Sequence, residues 1–425
     1  MSCPSFLALA VATALLLVPP DASSAPALTL DDALAVAQGR SGTLQAKALA
    51  AGAARDMAVA AGQRPDPVLK LGITNLPIDG PDAFSIGRDF MTMRSVGVMQ
   101  EVTRTDTLKA RAARYEREAD AAGIEGEMAL ADLQRRAATA WLECHFRTQM
   151  RDTLRTLRGE AALQVEASEA AWRGGRGAQG ELFAARAELA RIDDRLAQAQ
   201  QELASATIQL SRWIGEASAV PLAPPPALDR LAEPVDEDAD HLARHPEIAL
   251  LQAQELQSRA EADLARRARN PDPTVELMFS QRGPGYSRMV SLGVSLPLPW
   301  DGAHRQDREV AARLAQAEQR RAEREELLRE HLAEQQAARR EWQADRDRLD
   351  RYAHELQPLA AERTRAALSA YRGNTGPLSA VLEARRAELE TRMDQWRLEL
   401  DAARLWAQLN FLVPRHDLLK RAELP

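Results

Sequence analysis

The chain has 425 residues, of which 28% are charged and only 4% are aromatic, and its formal net charge is -7. The abundance of Ala, Leu, Glu, Arg and Gln is typical of long helices rather than of a thick globular core. Acidic and basic residues are finely interleaved, as between 321 and 351, and no basic block stands out. Nucleic acid is therefore not expected as a partner.

The N-terminus predicts export. An apolar run of about 13 residues in "FLALAVATALLLVPP" has the length of a signal-peptide core and is too short for an ordinary membrane-spanning helix. Ala22 and Ser24 suit cleavage before Ala25, so residues 1–24 are predicted to be a signal peptide, although "MSCPSF" lacks the usual Lys or Arg. Cys3 precedes the apolar run, where it cannot serve as a lipobox cysteine. Cleavage would leave Cys144 as the one thiol, which excludes an internal disulfide.

The mature chain repeats itself. "RPDPVLKLGIT" at 64–74 is answered by "NPDPTVELMFS" at 270–280, and "WRGGRGAQGELFAARAEL" at 172–189 by "YRGNTGPLSAVLEARRAEL" at 371–389. A Pro-rich stretch that cannot be helical throughout separates the halves. The predicted organisation is a first repeat over 25–219, a linker over 220–240, a second repeat over 241–414 and a tail over 415–425.

Each repeat contains two short segments with alternating apolar and polar residues. This period of two indicates a strand with one apolar face, as in Leu69, Leu71 and Ile73 against Lys70 and Thr74. A small soluble sheet packed on helices and a set of tilted membrane strands fit the alternation equally well. Four strands cannot close a membrane barrel alone, so closure would need several chains. The predicted strands span about 67–77, 92–102, 273–282 and 288–298.

Heptad patterns predict long helices that pack as coiled coils. After the first Gly-rich stretch, apolar residues step by three and four without a miss. A helix of about 41–63 or 245–269 precedes each strand pair, and helical hairpins follow over 106–214 and 302–412. At 1.5 Å per residue, the two shorter helices of a repeat stacked end to end roughly match the long one. The predicted seams are Leu182, Ala185, Leu189, Ile192, Leu196, Ala199, Leu203, Ala206, Leu210 and Trp213; Leu349, Tyr352, Leu356 and Leu359; and Leu389, Met393, Trp396, Leu400 and Ala403.

This duplicated plan of helix, strand pair and helical hairpin resembles the TolC-like outer-membrane efflux proteins. The doubled "PDP" turn, the "SLGVSLPLPW" strand exit and the paired "RGG" and "RGN" tips carry the resemblance over essentially all of the mature chain. It implies a homotrimer in which each chain gives four strands to a twelve-stranded barrel in outer-membrane lipid. The helices would form an α-barrel, a tunnel through the periplasm of a Gram-negative bacterium. A periplasmic adaptor would join this passive channel to an inner-membrane RND-type transporter.

The resemblance also assigns roles to the hairpin ends. Gly175, Gly177 and Gly180 have the spacing of a dinucleotide-binding loop, but a long helix precedes them where that loop needs a strand, so a hairpin turn is predicted instead. The resemblance implies that the two hairpin tips form the surface that contacts the adaptor. The alternative is that the same residues only form the turns and contact no partner. The implied contact residues are Arg173, Gly174, Gly177, Arg372, Gly373 and Gly376.

Channels of this family close at the hairpin tips, often with acidic residues around the pore. The resemblance places one such acid at Glu383, whereas the other matching position is Ala380, for which Glu181 could substitute. A solvated helix carboxylate is an equally good interpretation of each glutamate.

Neither a catalytic site nor a cofactor or metal site is predicted. Cys144 continues the apolar seam Leu130, Leu133, Ala137 and Ala140, which favours a small core residue over a ligand. The histidines are scattered without metal-ligand spacing, and no enzyme motif occurs. Apart from His145, which directly follows Cys144, the histidines are His241, His245, His304, His331, His354 and His416.

The sequence therefore predicts the outer-membrane channel of a tripartite efflux system. Within the family, the strand exit "SLPLPWDGAHRQ" and the lack of a lipobox are most similar to the branch that serves heavy-metal exporters. Drug export and protein secretion remain open, because the resemblance implies that the inner-membrane partner mainly selects the substrate. The alternative is a soluble periplasmic coiled-coil scaffold or adaptor. An adaptor would normally have one helical hairpin among β-rich domains, whereas two hairpins are predicted here.

Overall fold

A computed structural model describes residues 27–175, 177–231, 245–373 and 375–417. The predicted signal peptide, His241, most of the second half of the predicted linker and the end of the tail lie outside these residues. The described chain is mainly helical with one small antiparallel sheet. Its helices are α1 (Leu30–Gly39), α2 (Gly42–Ala61), α3 (Thr105–Arg173), α4 (Gln179–Ile214), α5 (Pro246–Arg267), α6 (Gln306–Arg351), α7 (Gln357–Arg372) and α8 (Leu378–Asn410), and its strands are β1 (Val68–Thr74), β2 (Met93–Glu101), β3 (Thr274–Gln281) and β4 (Met289–Ser295).

The duplicated order of elements is confirmed. In the first repeat α2 and α4 both pack along the 69-residue α3, at different heights. Lys47 of α2 pairs with Glu125 near the sheet end of α3, whereas Arg158, nearer the tip, pairs with Asp193 of α4. The second repeat follows the same plan, with α5 and α8 in the places of α2 and α4.

Helix α1 is an element that the sequence analysis missed. Thr29 caps it: the Thr29 hydroxyl accepts a hydrogen bond from the Asp32 N–H at 3.1 Å, and the Asp32 carboxylate accepts one from the Thr29 N–H at 3.3 Å. This reciprocal pair is the capping box, which the spacing T-x-x-D could have indicated. Ser41 then caps α2 through the Leu44 N–H.

The long helix predicted from 302 to 371 is interrupted. Residues Tyr352–Leu356 form a π-helical turn between α6 and α7, and the Gln357 N–H bonds to the Tyr352 carbonyl five residues earlier. Pro358 explains the wider turn, because its ring clashes with the carbonyl four residues before it, that of His354. Within the same region, the seam residues Leu356 and Leu359 are exposed in the single chain, whereas Leu349 and Tyr352 are half-buried.

The four strands form one sheet in the order β1-β2-β3-β4. The central β2–β3 pairing joins the two repeats. All four strands are shorter than predicted, and the larger differences, in β1 and β4, have physical reasons. Asn75 takes a positive φ of 57° and ends β1, and Pro297, which cannot donate to a ladder, follows soon after β4.

The corner between helices and sheet joins the repeats as well. Asp272 of the second "PDP" turn accepts hydrogen bonds from the backbone N–H and the Nε of Arg104, at 3.2 and 2.9 Å. Arg104 precedes α3 of the first repeat, and its Nη2 also donates to the Arg267 carbonyl at 3.0 Å. The turn after α5 thus stabilises the start of α3.

The main core lies midway along α3, where α1, α4 and α8 meet. Trp141 and Leu142 are fully buried there, and Phe411 closes the cluster after α8. Cys144 belongs to this core, as predicted; burial raises the pKa of its thiol, and its Sγ lies 3.7 Å from the Thr207 hydroxyl. None of the described helices is both long and apolar enough to cross a membrane.

Candidate functional site

The sheet has one continuous apolar face. The register places Leu69 opposite Val98, Val98 opposite Leu277 and Leu277 opposite Leu292, so that a row of apolar side chains crosses all four strands. A second row runs parallel to it. We call these eight residues the apolar face: Leu69, Val98, Leu277, Leu292, Leu71, Val96, Phe279 and Val290.

The apolar face is exposed throughout. Leu71 is 74% exposed and Leu292 is 72% exposed, values that are unusual for Leu in the middle of a strand. The predicted alternation is thus confirmed, but the helices of this chain do not cover the apolar side. That observation disfavours a small soluble sheet packed on its own helices.

Polar and aromatic residues border the apolar face. The next row towards the connecting loops contains Arg94 and Gln281. Beyond it the β1–β2 loop exposes Phe84 and Phe90, and at the opposite end Trp300 is 90% exposed just after β4. The sheet therefore carries an apolar band between two ends that have polar or aromatic side chains.

The opposite face of the sheet is polar. Lys70 and Glu276 form an ion pair there with 2.9 Å between Nζ and Oε2. The Ser95 hydroxyl donates to the Gly72 carbonyl at 3.2 Å on the same face. Gly97 lies between the paired charges, and a Cβ at this position would stand 2.8 Å from the Leu277 carbonyl oxygen, so the close β2–β3 approach requires glycine.

Both outer edges of the sheet are open. In the described chain β1 pairs only with β2 and β4 pairs only with β3, so each of these strands has one unpaired side. Each therefore presents a row of backbone N–H and C=O groups that another strand could bind. The exposed apolar side chains of β1 and β4 continue to these edges.

The two hairpin tips have the same backbone construction. The N–H of Gly174 donates to the Ala170 carbonyl and that of Gly373 to the Ser369 carbonyl, at 3.0 and 2.9 Å. In each tip a second glycine N–H donates to the carbonyl six positions earlier, from Gly177 to Ala171 at 3.1 Å and from Gly376 to Ala370 at 3.2 Å. The predicted hairpin turn is observed, and it follows a helix rather than a strand.

Glycine is needed at specific points of these tips. Gly175 takes a φ of 68°, which glycine adopts without strain. A Cβ at Gly177 or at Gly376 would lie 3.1 Å from the Cβ of Ala171 or Ala370. The glycines therefore fix the shape of the tips, whether or not the tips contact a partner.

The charged residues of the tips are exposed. Arg173 pairs with Glu169 at 2.5 Å, one helical turn back, and its side chain is 72% exposed. Arg372 occupies the corresponding position at the end of α7 and is exposed too. Both side chains extend from ends of the hairpins that lie far from the sheet.

The two glutamates suggested for a gate make different contacts. Glu383 of α8 is 71% exposed and pairs with Arg363 of α7 at 3.0 Å. Glu181 lies in the first turn of α4, where its carboxylate accepts a hydrogen bond from the Ala178 N–H at 3.4 Å. Each glutamate thus contacts its own hairpin, and the contact of Glu181 supports a helix start.

A buried carboxylate between the two hairpins was missed by the sequence analysis. Glu188 of α4 accepts hydrogen bonds from Arg386 of α8 at 2.6 Å and from Arg191 at 3.0 Å. Burial alone would raise the pKa of Glu188, but the hydrogen bonds and charges of Arg386 and Arg191 outweigh burial and hold this pKa below its ordinary value. Its neighbour Leu189 lies on the predicted seam, which gave no signal that a charge would be buried beside it.

Several solved structures share this architecture over nearly the whole chain. The outer-membrane channel OprN superposes with a TM-score of 0.75 at 17% identity, over 91% of this chain and 90% of OprN. The outer membrane protein VceC of Vibrio cholerae gives a TM-score of 0.71 at 17% identity, over 90% and 95%. The CmeC outer membrane channel of Campylobacter jejuni gives 0.74 at 12% identity, over 92% and 88%.

No protein-family model and no curated protein matches the sequence. The likeness is therefore one of three-dimensional structure, at identities too low to carry residue roles across. The superpositions with OprN and VceC cover about nine tenths of each chain. The chain has the TolC-like fold of outer-membrane channels, as the resemblance in its sequence predicted.

Proposed function

We propose that the protein is the outer-membrane channel of a tripartite efflux system and that it gives passive passage to substrates without enzymatic chemistry. One observation carries the proposal: the apolar face is exposed and lies between ends that bear polar or aromatic residues. Outer-membrane barrels have this arrangement on the side that faces lipid, with aromatic residues at both interfaces. The fold shared with OprN and CmeC supports the same location.

The open edges support closure by assembly. Strands of seven to nine residues extend about 23–30 Å at 3.3 Å per residue, and a tilt of about 40° leaves about 18–23 Å of that length across the membrane, slightly less than the roughly 25 Å apolar band of such a barrel. Three chains would contribute twelve strands, with β4 of one chain beside β1 of the next. The polar face, with Lys70 and Glu276, would then line the lumen. The long helices would extend into the periplasm as a tunnel.

The hairpin tips are the proposed contact surface for a periplasmic adaptor that leads to an inner-membrane RND-type transporter. Arg173 and Arg372 support a contact role because the backbone turns are complete without their side chains. Glu383 and Glu181 are proposed to line the pore at its tip end. The proposed substrate class is heavy-metal cations, which rests on the strand exit "SLPLPWDGAHRQ" and the lack of a lipobox.

The rival proposal is a soluble periplasmic scaffold, which the paired coiled-coil hairpins favour. Fractionation of cells that express the full chain separates the two. A channel will be recovered from outer membranes as a heat-resistant oligomer and only with detergent. A scaffold will appear in the periplasmic wash without detergent.

The substrate class has its own test. A strain that lacks the chain should lose tolerance to heavy-metal cations more than to drugs or solvents. Equal loss for all three would contradict the metal assignment and leave the channel proposal standing.

A further inference from the structure

Two histidines that are 86 positions apart in sequence lie next to each other where the start of α5 packs against α6. His245 immediately precedes α5, His331 lies in α6, and their ring centroids are 4.7 Å apart. His245 is 8% exposed, and its Nδ1 has no hydrogen-bond partner among the described residues. A buried imidazole nitrogen without a partner costs free energy unless something binds it.

Glu247 completes the group. Its Oε2 lies 2.6 Å from Nε2 of His331, and one ligand atom from each of His245, Glu247 and His331 lies within 4.8 Å of the others. Two imidazoles and one carboxylate form a ligand set that binds Zn²⁺ and related divalent transition metals, with a fourth position left for water. Glu247 is about half exposed, so an ion has access from solvent.

Two charged side chains stand near this group. Glu334 Oε2 lies 3.7 Å from Nδ1 of His331, the ring nitrogen that faces away from Glu247, which is longer than a hydrogen bond. A small movement would bring this carboxylate into hydrogen-bond distance, a contact that orients a ligating imidazole. Arg135 is the second charged group, and it shares the Asp132 carboxylate with Arg136, at 2.6 and 2.8 Å.

We propose that His245, Glu247 and His331 bind one divalent transition-metal ion per chain. The ion would tie the start of the second repeat to the middle of α6. This site lies at the start of α5 and within α6, away from both the sheet and the hairpin tips. The proposal does not depend on the channel function, because binding is measured on the protein itself.

Calorimetric titration of the purified full chain, stripped of metal with a chelator, tests the site. The probes are ZnCl₂, with CoCl₂ as a spectroscopic substitute and MgCl₂ as a hard-cation control. The variants are His331→Gln, Glu247→Gln and, as a matched control, His354→Gln. His354 is a suitable control because it too lies on the second long helical stretch beside a carboxylate, that of Asp350 at 3.0 Å, but outside the cluster.

The native chain and His354→Gln should bind one Zn²⁺ per chain and should not bind Mg²⁺. His331→Gln and Glu247→Gln should each weaken Zn²⁺ binding about tenfold or more. Bound Co²⁺ should show the visible absorption of a four-coordinate ion, and His331→Gln should abolish it. Should His331→Gln fail to fold, the half-exposed Glu247 provides the deciding variant.

Two results would overturn the proposal. One is the lack of saturable Zn²⁺ binding by the native chain. The other is Zn²⁺ binding that persists unchanged in Glu247→Gln or that falls equally in His354→Gln.

Discussion

Lys70 of β1 and Glu276 of β3 form an ion pair that spans the intervening strand β2, with 2.9 Å between Nζ and Oε2. The pair joins the first repeat to the second on the polar face of the sheet. On the same face Gly97 lies opposite Lys70, and a Cβ there would stand 2.8 Å from the Leu277 carbonyl oxygen of β3. The ion pair and this close approach of β2 to β3 both hold the two repeats together within a single chain.

Reversal of one charge in this pair should destabilise the assembled sheet. Lys70→Glu places two carboxylates together and is expected to cost on the order of 1 kcal/mol. The double variant Lys70→Glu with Glu276→Lys should recover most of that loss. The temperature at which the detergent-extracted oligomer dissociates measures both effects. Equal dissociation temperatures for the single variant and the native chain would contradict the role of the pair.

A charge on the apolar face should prevent membrane insertion, whereas the same charge one residue away should not. Leu292→Arg places a guanidinium on the lipid side, where an outer-membrane barrel loses about 2–4 kcal/mol near the midplane. Ser291→Arg is the matched control, because its side chain lies on the polar face. The amount of protein in outer membranes reports the difference. If Leu292→Arg accumulates there as well as Ser291→Arg, the face does not contact lipid.

The pairing of Glu188 with Arg386 should make the contact between the hairpins sensitive to acid. The pKa of Glu188 is held below its ordinary value, so its stabilisation is present above the unfolded pKa of about 4.3 and is lost as pH falls through the folded pKa. At pH 7, Glu188→Gln should lower stability by about 1.5–3 kcal/mol, the contribution of hydrogen bonds to charged groups. As pH falls below that unfolded value, the difference in stability between the variant and the native chain should shrink progressively.

Thermal unfolding from pH 3 to pH 8 measures this dependence. Glu390→Gln is the control, because Glu390 pairs with Arg195 at 3.4 Å across the same two helices but is half exposed. Its substitution should change stability by less than about 1 kcal/mol. A loss in Glu188→Gln that is constant over the whole pH range would contradict the assigned role.

Charge reversal at the tips should impair export and leave assembly intact. Arg173→Glu combined with Arg372→Glu would place acids where the proposed adaptor meets cations, and like charges at an interface cost several kcal/mol. Outer-membrane levels should stay unchanged while the tolerance of the host strain falls to that of a strain without the chain. Arg397→Glu, on α8 away from the tips and paired with Asp394, is the control. Full tolerance in the tip variant would show that these arginines only flank a turn.

Periodic features were predictable because they repeat along the chain. The alternation through Leu69 and Leu71 placed both on one face, and the stepping from Leu182 to Leu210 placed both in a buried seam. The Gly-rich tips were predictable for a related reason, since few residues other than glycine can form those turns.

Features that depend on distant residues were not predictable. His245 and His331 carry no shared spacing, because the fold brings together α5 and α6 only after β3 and β4 intervene. The π-helical turn before Pro358 is a local response to one proline, and the apolar residues around it still follow a regular heptad, which gives no sign of the turn. Glu188 is buried because Arg386 of the other repeat binds it, and no spacing within the first repeat indicates that partner.

The central claim is that the exposed sheet closes by joining copies of the same chain. Native mass spectrometry of the complex extracted from outer membranes by detergent tests it most directly. We expect a complex of three chains that persists in detergent and does not dissolve in water without it. A stable water-soluble monomer that contains all four strands would contradict it.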